Sequence, residues 1–193
     1  MIQCGAVLDT SFVFRGGMGI ISNPEKAKLF CGVIYCDEVV RRKSFIMLEE
    51  KLGKIDLTSN VVNFDFSNYY NPEMGNGLRR FWISFEELIS VDRLAKIKIF
   101  TNFTENSFAL DGRRQINIDS GYVSLANIIL ATTKNYSHRV YISSGIYAEV
   151  TMMYKKGRFV KLPWTYPDYL SKTATEFLLK VRSCLAMQLK EES

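Results

Sequence analysis

From residue 28 to residue 35 the chain is almost continuously apolar, and Asp37 follows this run. A run of this length without alternation predicts a central strand that is buried on both faces. Over residues 37–53 the apolar side chains recur at near-helical spacing with Lys and Arg between them, which predicts a helix that ends at Gly53. The ordered part of the chain thus begins with a strand followed directly by a helix.

Three further strand patterns and a second helix complete the first two thirds of the chain. The second helix begins near Glu86 or Asp92 and runs to about Leu110, unless residues 97–100 form a strand that divides it. The strand patterns occupy residues 61–66, 80–85 and 115–119. In order, the elements read β-α-β-β-α-β, which is the order of a ferredoxin-like unit.

The last third of the chain has a different pattern. Residues 123–133 are predicted to start as a helix, and an amphipathic helix over residues 172–189 ends the chain. Between them, three alternating segments predict a β-meander with turns at Gly145 and Gly157, and these segments are residues 138–143, 146–154 and 158–162. The sequence therefore predicts one α+β domain over residues 24–193, a ferredoxin-like βαββαβ unit extended by a β-meander and a C-terminal helix.

Residues 1–23 are rich in glycine and lack periodicity. We expect them to be an extension outside the domain, either disordered or not native, with Met18 as the alternative start. No uninterrupted apolar run in the chain reaches the roughly 18 to 20 residues of a membrane span, so no membrane contact is predicted.

Composition and charge narrow the classes of partner. With 47% hydrophobic and 23% charged residues the chain can close a core, and its net charge of +5 is compatible with a phosphate-bearing partner. The basic residues form no dense block, which makes nucleic acid the less favoured partner. Four cysteines without paired spacing favour a reducing cytoplasm, and with a single histidine they argue against a Cys/His zinc site. Magnesium held by carboxylates stays open, and no cofactor is identified.

Charged residues around the predicted meander form the candidate site. His138 is the only histidine, and Glu149 lies on the partner strand, where it can pair with Arg139 across the hairpin. His138, Glu149 and Asp119 are the candidate catalytic residues, with His138 as the proton-transfer group. Lys134 and Arg139 are the candidate anion clamp. A cross-strand ion pair with a purely structural role is the alternative for this cluster.

Four more residues are predicted to bind a ligand. Asp65 and Glu73 lie at a strand end and in the loop after it, where a carboxylate can hold a cation or a substrate hydroxyl, and an ordered loop is the alternative. Tyr147 is predicted to lie on the same strand face as Glu149. Trp164 is placed to stack on a base or a sugar, and a lid packed over the sheet edge is the alternative.

Three common signatures are missing from the sequence. The chain has no Gly-x-x-x-x-Gly-Lys-Ser/Thr, no Gly-x-Gly-x-x-Gly after its first strand and no Gly-x-Ser-x-Gly. This disfavours P-loop GTPases and kinases, Rossmann dehydrogenases and α/β-hydrolases.

Six blocks of the sequence carry a family resemblance: residues 28–35, 64–75, 117–122, 133–141, 145–151 and 162–169. They resemble the bacterial family catalogued as domain of unknown function 4416. The last two blocks, Gly-Ile-Tyr-Ala-Glu-Val-Thr and Leu-Pro-Trp-Thr-Tyr-Pro-Asp-Tyr, are specific, and the resemblance covers about residues 24–185. It implies a small cytoplasmic protein of bacterial type without an established activity. Some relatives carry the label GTP-binding protein, but the phosphate-cradling loop of such proteins is missing here.

The leading functional hypothesis is that the protein binds a small anionic or nucleotide-like ligand, with hydrolytic or transfer chemistry on that ligand as an extension. Two alternatives stay open. One is an RNA-binding module that uses the face of the sheet. The other is an assembly or interaction protein without catalysis. The sequence assigns no oligomeric state.

Overall fold

Nine strands form one antiparallel sheet in the computed structural model, which describes residues 21–192. The predictions for residues 1–20 lie outside this range. The strands are β1 (Ala27–Tyr35), β2 (Ile55–Thr58), β3 (Val62–Asn63), β4 (Arg79–Ile89), β5 (Ile116–Val123), β6 (Asn127–Thr132), β7 (Val140–Ser143), β8 (Ile146–Lys155) and β9 (Arg158–Lys161). The helices are α1 (Glu38–Leu52), α2 (Asn71–Met74), α3 (Leu94–Ser107) and α4 (Lys172–Glu191), with 3-10 turns at Val91–Arg93 and Pro167–Leu170.

The predicted central strand, β1, is confirmed: all nine of its residues are buried, and it lies between β4 and β5. The sheet runs in the order β2-β4-β1-β5-β6-β8-β7, with β3 also paired to β4 and β9 to β8. Alternate residues of β1 serve two layers. Leu29 and Val33 pack with α1 and α3 on the first face of the sheet, whereas Phe30 packs with α4 on the second face.

The first helix forms where the sequence predicts it. The Asp37 side chain accepts hydrogen bonds from the backbone N–H groups of Val39 and Val40, which satisfies two donors that the helix itself leaves free. Gly53 ends the helix at a φ of 96°, a conformation that glycine adopts without strain. The second long helix, α3, is not divided by a strand at residues 97–100.

The local predictions for residues 61–66 and for the start of residues 123–133 are wrong. The second strand is not residues 61–66, because Ile55–Thr58 takes the edge position beside β4 and only Val62–Asn63 pair further along. Phe64 leaves the strand path to pack with Ile34 and Met74. The start of residues 123–133 is a tight turn closed by Ser124 and not a helix, and β6 follows it.

The three strands of the predicted meander are present, but they do not lie side by side. β6 pairs along one edge of β8 from Tyr147 to Met153. Both β7 and β9 must therefore use the other edge, where β7 pairs with the first half of β8 and β9 with its second half. The gap between β7 and β9 falls at residues 149–151 of β8, and this gap is part of the site described below.

Candidate functional site

Polar residues occupy the part of the second sheet face that α4 leaves open. β5 and β6 pair at Gly121 and Leu130, and Leu130 packs against α4. Two residues away along each strand, on the same face, lie Asp119 and Thr132. Tyr147 of β8 is paired with Thr132. We call the surface formed by Asp119, Thr132 and Tyr147 the cleft floor.

A fully buried arginine lies beside the floor. Arg80 of β4 donates from Nη1 to Asp119 Oδ2 at 3.2 Å and from Nη2 to Asp168 Oδ2 at 2.8 Å. Its guanidinium also stacks on Trp82, with Cζ 4.7 Å from the ring centroid. Since two carboxylates share one arginine, this group carries one negative charge in excess. Neither Arg80 nor Asp168 is among the predicted site residues.

Gly32 is the reason that this arginine fits. It is paired with Asp119 on one side and with Trp82 on the other. A Cβ atom at this position would lie 2.7 Å from Arg80 Nη2 and 2.9 Å from the hydroxyl of Tyr169. Only glycine lets both side chains lie against the strand. Arg80 Nε, Trp82 Nε1 and Tyr169 Oη are buried here without a hydrogen-bond partner among residues 21–192.

A second arginine ties the long loop before β4 to the floor. Arg114 donates from Nε and Nη2 to the two carboxylate oxygens of Glu73, at 2.8 and 2.7 Å, and from Nη1 to Asn117 at 2.9 Å. Asn117 in turn donates to Asp119 Oδ1 at 3.0 Å. The hydrogen bond from Arg114 lowers the pKa of Glu73. The predicted ligand residue Glu73 thus reaches the floor through two intermediates.

Glu149 holds the third polar group together. Its Oε2 lies 3.1 Å from His138 Nε2 and accepts from Arg139 Nε at 2.8 Å. Arg139 also donates from Nη1 to the backbone oxygen of Lys134 and from Nη2 to the hydroxyl of Tyr166, at 3.1 and 2.9 Å. All three nitrogens of Arg139 are engaged and its side chain is 3% exposed. This geometry gives Arg139 a positioning role and leaves Lys134 as the accessible cation of the predicted clamp.

The predicted strand alternation of His138 and Arg139 is wrong, because β7 begins only at Val140. His138 lies in the turn before the strand, so its side chain and that of Arg139 both reach Glu149. The contact with Glu149 Oε2 fixes the direction in which the His138 Nε2 atom points.

Trp164 closes the gap between β7 and β9. Its indole Nε1 donates to the backbone oxygen of Val150 at 2.8 Å, and the next residue, Thr165, donates to the backbone oxygen of Thr151. The ring stacks on His138 with centroids 4.9 Å apart and planes 16° apart. Trp164 thus covers the sheet edge and fixes the plane of the imidazole, and its stacking partner within the described range is a protein side chain.

Two tyrosine hydroxyls lie near Asp119. Burial, and next the charge of Asp119, raises the pKa of Tyr70, which packs under Arg114 at 5.8 Å from its ring centroid. Burial and then the charges of Glu149 and Asp119 raise the pKa of Tyr166, against a lowering by Arg139. Both hydroxyls consequently stay protonated at neutral pH. Tyr166 thus contacts the group around Glu149 through Arg139 and lies within electrostatic range of Asp119.

Lys134 stands at the rim of this surface. Its Nζ donates to the hydroxyl of Tyr69 at 3.1 Å, and Tyr69 packs edge-on against Tyr70 at 5.0 Å. Exposed aromatic rings surround the same region, since Tyr69, Tyr136 and Tyr166 are each more than two fifths exposed. We call the floor with Tyr70, Tyr166 and Lys134 around it the Asp119 cleft.

The structure brings most of the predicted residues together and leaves one apart. One contact group contains Lys134, His138, Arg139, Glu149 and Trp164. Asp119 and Glu73 belong to a second network, in which Arg114 and Asn117 connect them. Tyr147 lies on the floor with its ring against Tyr141, 5.5 Å between centroids. Asp65 is exposed, and no contact joins it to the cleft within residues 21–192. Residues that the sequence prediction missed are Arg80, Asp168, Tyr70, Tyr166 and Arg114.

Two depressions in the surface lie away from Asp119. A depression of about 430 Å³ lies beside Glu73 and Asp111, and another of about 610 Å³ lies beside Lys26 and Glu86, and neither includes Asp119. No group of three His, Cys, Asp or Glu side chains in the described part of the chain is arranged to hold a metal ion. The carboxylates of Asp119 and Glu149 instead face arginines.

Helices cover the two faces of the sheet to different extents. α1 and α3 cover the first face, and α4 covers much of the second. Phe30 and Phe64 are buried, while Phe66 is 40% exposed. No helix in residues 21–192 has the length and apolar character needed to cross a membrane.

Comparisons with known proteins give one match. Neither curated proteins nor solved structures match the chain significantly. A family model described as "Domain of unknown function (DUF4416)" matches residues 25–184, a range that contains every residue of the Asp119 cleft. The chain therefore belongs to the DUF4416 family.

Proposed function

We propose that the protein binds a small ligand with an anionic group in the Asp119 cleft. The observation that carries this proposal is the convergence of Lys134, Tyr166, Asp119 and the His138–Glu149 pair on one part of one sheet face. An accessible cation beside aromatic rings and protonated hydroxyls suits a phosphate or carboxylate attached to a ring. Lys134 is the residue that would contact the anion directly.

The first test is native mass spectrometry of the purified protein, which detects a retained ligand by its mass. Calorimetric titration with inorganic phosphate and with adenosine 5′-monophosphate then measures binding in wild type and in Lys134→Ala. Lys161→Ala is the matched control, because Lys161 is an exposed lysine at the end of β9, outside the cleft. We expect Lys134→Ala to weaken binding of both probes about 10-fold, since one charge-assisted hydrogen bond contributes about 1.5 kcal/mol. Equal effects of the two lysine variants would contradict the proposal.

We also propose that His138 takes part in proton transfer on the bound ligand. The support is its hydrogen bond to the buried carboxylate of Glu149, which is 2% exposed, and its stacking on Trp164. His138 is the only histidine, so its imidazole proton resonances in tag-free protein are assigned without further variants. Ligand addition should move these resonances in wild type. A ligand that binds while leaving them unchanged would separate the binding role from the catalytic one.

For the fold, we propose that β1, α1, β2, β4, α3 and β5 form a ferredoxin-like unit within a single α+β domain of residues 24–193. The strand order β2-β4-β1-β5 with antiparallel neighbours, and the packing of α1 and α3 on one face, support this assignment. The free thiols of Cys31, Cys36 and Cys184 support a reducing, cytoplasmic setting. Limited proteolysis tests the single domain, because cleavage inside the sheet region before global unfolding would contradict it.

A further inference from the structure

The charges at the cleft floor are not those of an anion site. Arg80 carries one positive charge against the two carboxylates of Asp119 and Asp168. The neighbouring charges are balanced: Arg139 faces Glu149, while Arg114 and Lys98 together face Glu73 and Glu105. The floor therefore keeps one negative charge in excess, and a phosphate placed there would be repelled. Whatever part of a ligand meets the floor must donate hydrogen bonds.

Asp119 has the capacity to accept such bonds. Its side chain is 31% exposed, Oδ1 accepts from Asn117 and Oδ2 accepts from Arg80. A carboxylate offers about four acceptor positions, so each oxygen keeps one for a ligand. Arg80 and Asn117 hold the carboxylate from behind and fix its direction, which lowers the entropy lost when a ligand binds.

The two tyrosines beside Asp119 complete a mixed set of donors and acceptors. The Tyr70 hydroxyl has no hydrogen-bond partner within residues 21–192, and the Tyr166 hydroxyl accepts from Arg139 and keeps its own proton to donate. Sugar hydroxyl groups both donate and accept, whereas an ammonium group only donates and leaves the tyrosine protons without an acceptor. The mixed set of donors and acceptors is therefore matched to hydroxyl groups.

We infer that the Asp119 cleft takes the vicinal hydroxyl groups of a sugar on Asp119, while a phosphate on the same ligand meets Lys134 at the rim. This inference rests on the proposed function, because it assigns the second half of the same ligand. The ligand class is a sugar phosphate, either free or as part of a nucleotide. Two exposed tyrosine rings are available to contact such a ligand: Tyr69, whose hydroxyl accepts from Lys134, and Tyr166, whose hydroxyl accepts from Arg139.

The test changes the ligand first and the protein second. Calorimetry compares ribose 5-phosphate, adenosine 5′-monophosphate, 2′,3′-dideoxyadenosine 5′-monophosphate and inorganic phosphate on wild-type protein. We expect loss of the two hydroxyls to weaken nucleotide binding about 10- to 100-fold, since they donate to a charged acceptor. Asp119→Asn should weaken the hydroxylated ligands by a similar factor and leave the dideoxy compound unchanged. Because the ligand comparison uses wild type, it holds even where a variant fails to fold.

The outcomes distinguish failure of the sugar assignment from failure of anion binding at Lys134. Equal affinities for the two nucleotides would overturn the sugar assignment and leave anion binding at Lys134 in place. An amino acid that binds in an Asp119-dependent manner, while the sugar phosphates do not bind, would also overturn it in favour of an amine. Failure of all four phosphate compounds and of the amino acid would overturn the proposed function together with this inference. Tight binding of ribose 5-phosphate or the nucleotide that depends on both hydroxyls and Asp119 would establish the sugar subsite.

Discussion

Removal of the buried guanidinium of Arg80 is the most direct test of the polar network. Arg80→Met keeps the length of the side chain and deletes its charge, so Asp119 and Asp168 lose their common partner. Breaking a buried ion pair by removing one partner costs about 3–5 kcal/mol, because the remaining charge stays buried and uncompensated. For a chain of this size that corresponds to a fall of about 6–20 °C in the melting temperature.

The matched control is the residue next to it. Arg79 has a side chain that is 56% exposed and lies 3.6 Å from Glu38. Arg79→Met should change the unfolding free energy by about 0.5 kcal/mol or less, because exposed ion pairs contribute little. Urea unfolding followed by tryptophan fluorescence measures both variants. A loss below about 1 kcal/mol in Arg80→Met, or equal losses in the two variants, would refute the assignment of Arg80 as a buried partner.

The pH dependence of Arg80→Met provides a second check. In wild type, burial raises the pKa of Asp168 above its ordinary value of 3.8, Arg80 lowers it, and Asp119 raises it. Without Arg80 the pKa of Asp168 rises further. A carboxyl group whose pKa is higher in the folded state than in the unfolded state stabilises the fold at pH values below its unfolded-state pKa. This stabilisation is lost as the pH rises through the folded-state pKa. The difference in unfolding free energy between wild type and Arg80→Met should therefore be largest at neutral pH and shrink as the pH falls toward 4. A constant difference would contradict this mechanism.

Three further variants or labels test other parts of the structure. Arg114 lowers the pKa of Glu73 below 4.5, so that carboxylate stabilises the fold above pH 4.5 and the effect is lost as pH falls through the folded pKa. Glu73→Gln should cost about 1 kcal/mol at pH 7 and progressively less as pH falls below 4.5, by urea unfolding. Gly121→Ala should cost about 1–3 kcal/mol, since its Cβ would lie 2.3 Å from the backbone oxygen of Ile129, and an unchanged melting curve would show that the strands can separate there. Burial raises the pKa of Cys31 to about 12, so maleimide at pH 7 should label it only after denaturation, as peptide mass mapping would show.

The fold prediction succeeds where burial leaves a long signal and fails where the signal is short. β1 is identified because nine consecutive residues are buried. β2 has only four residues, which alternate between partly buried and exposed positions. Ile55 and Leu57 are therefore its only apolar signal in the sequence. β6 contains Ile128 to Ala131, buried on both faces, and a short apolar run of this kind has no periodicity to separate strand from helix.

The same limit explains which site residues are missed. Lys134, His138 and Glu149 are polar residues close together in sequence around one hairpin, so local reasoning finds them. Arg80 meets Asp119 and Asp168 across 39 and 88 positions of the chain, and only the strand order brings them together. The sequence did contain one sign of this network. Arg80 and Trp82 are two residues apart in a strand and therefore share one face. A charged residue on a buried face needs a partner of opposite charge.

Burying charged side chains costs hydration free energy, so replacing them can separate an effect on stability from an effect on ligand binding. A network of Arg80, Asp119 and Asp168 contributes less to stability than apolar residues of similar volume would, because each ion loses its hydration. We expect a triple variant, Arg80→Met with Asp168→Leu and Asp119→Asn, to be at least about 2 kcal/mol more stable than Arg80→Met alone, since no uncompensated buried charge remains. The same variant should bind hydroxylated ligands more weakly than wild type, because the charged acceptor on the cleft floor is gone. A triple variant as unstable as Arg80→Met would show that side-chain packing above Gly32, and not charge, stabilises this region. A triple variant that is stable and binds the ligand as wild type does would place the ligand elsewhere.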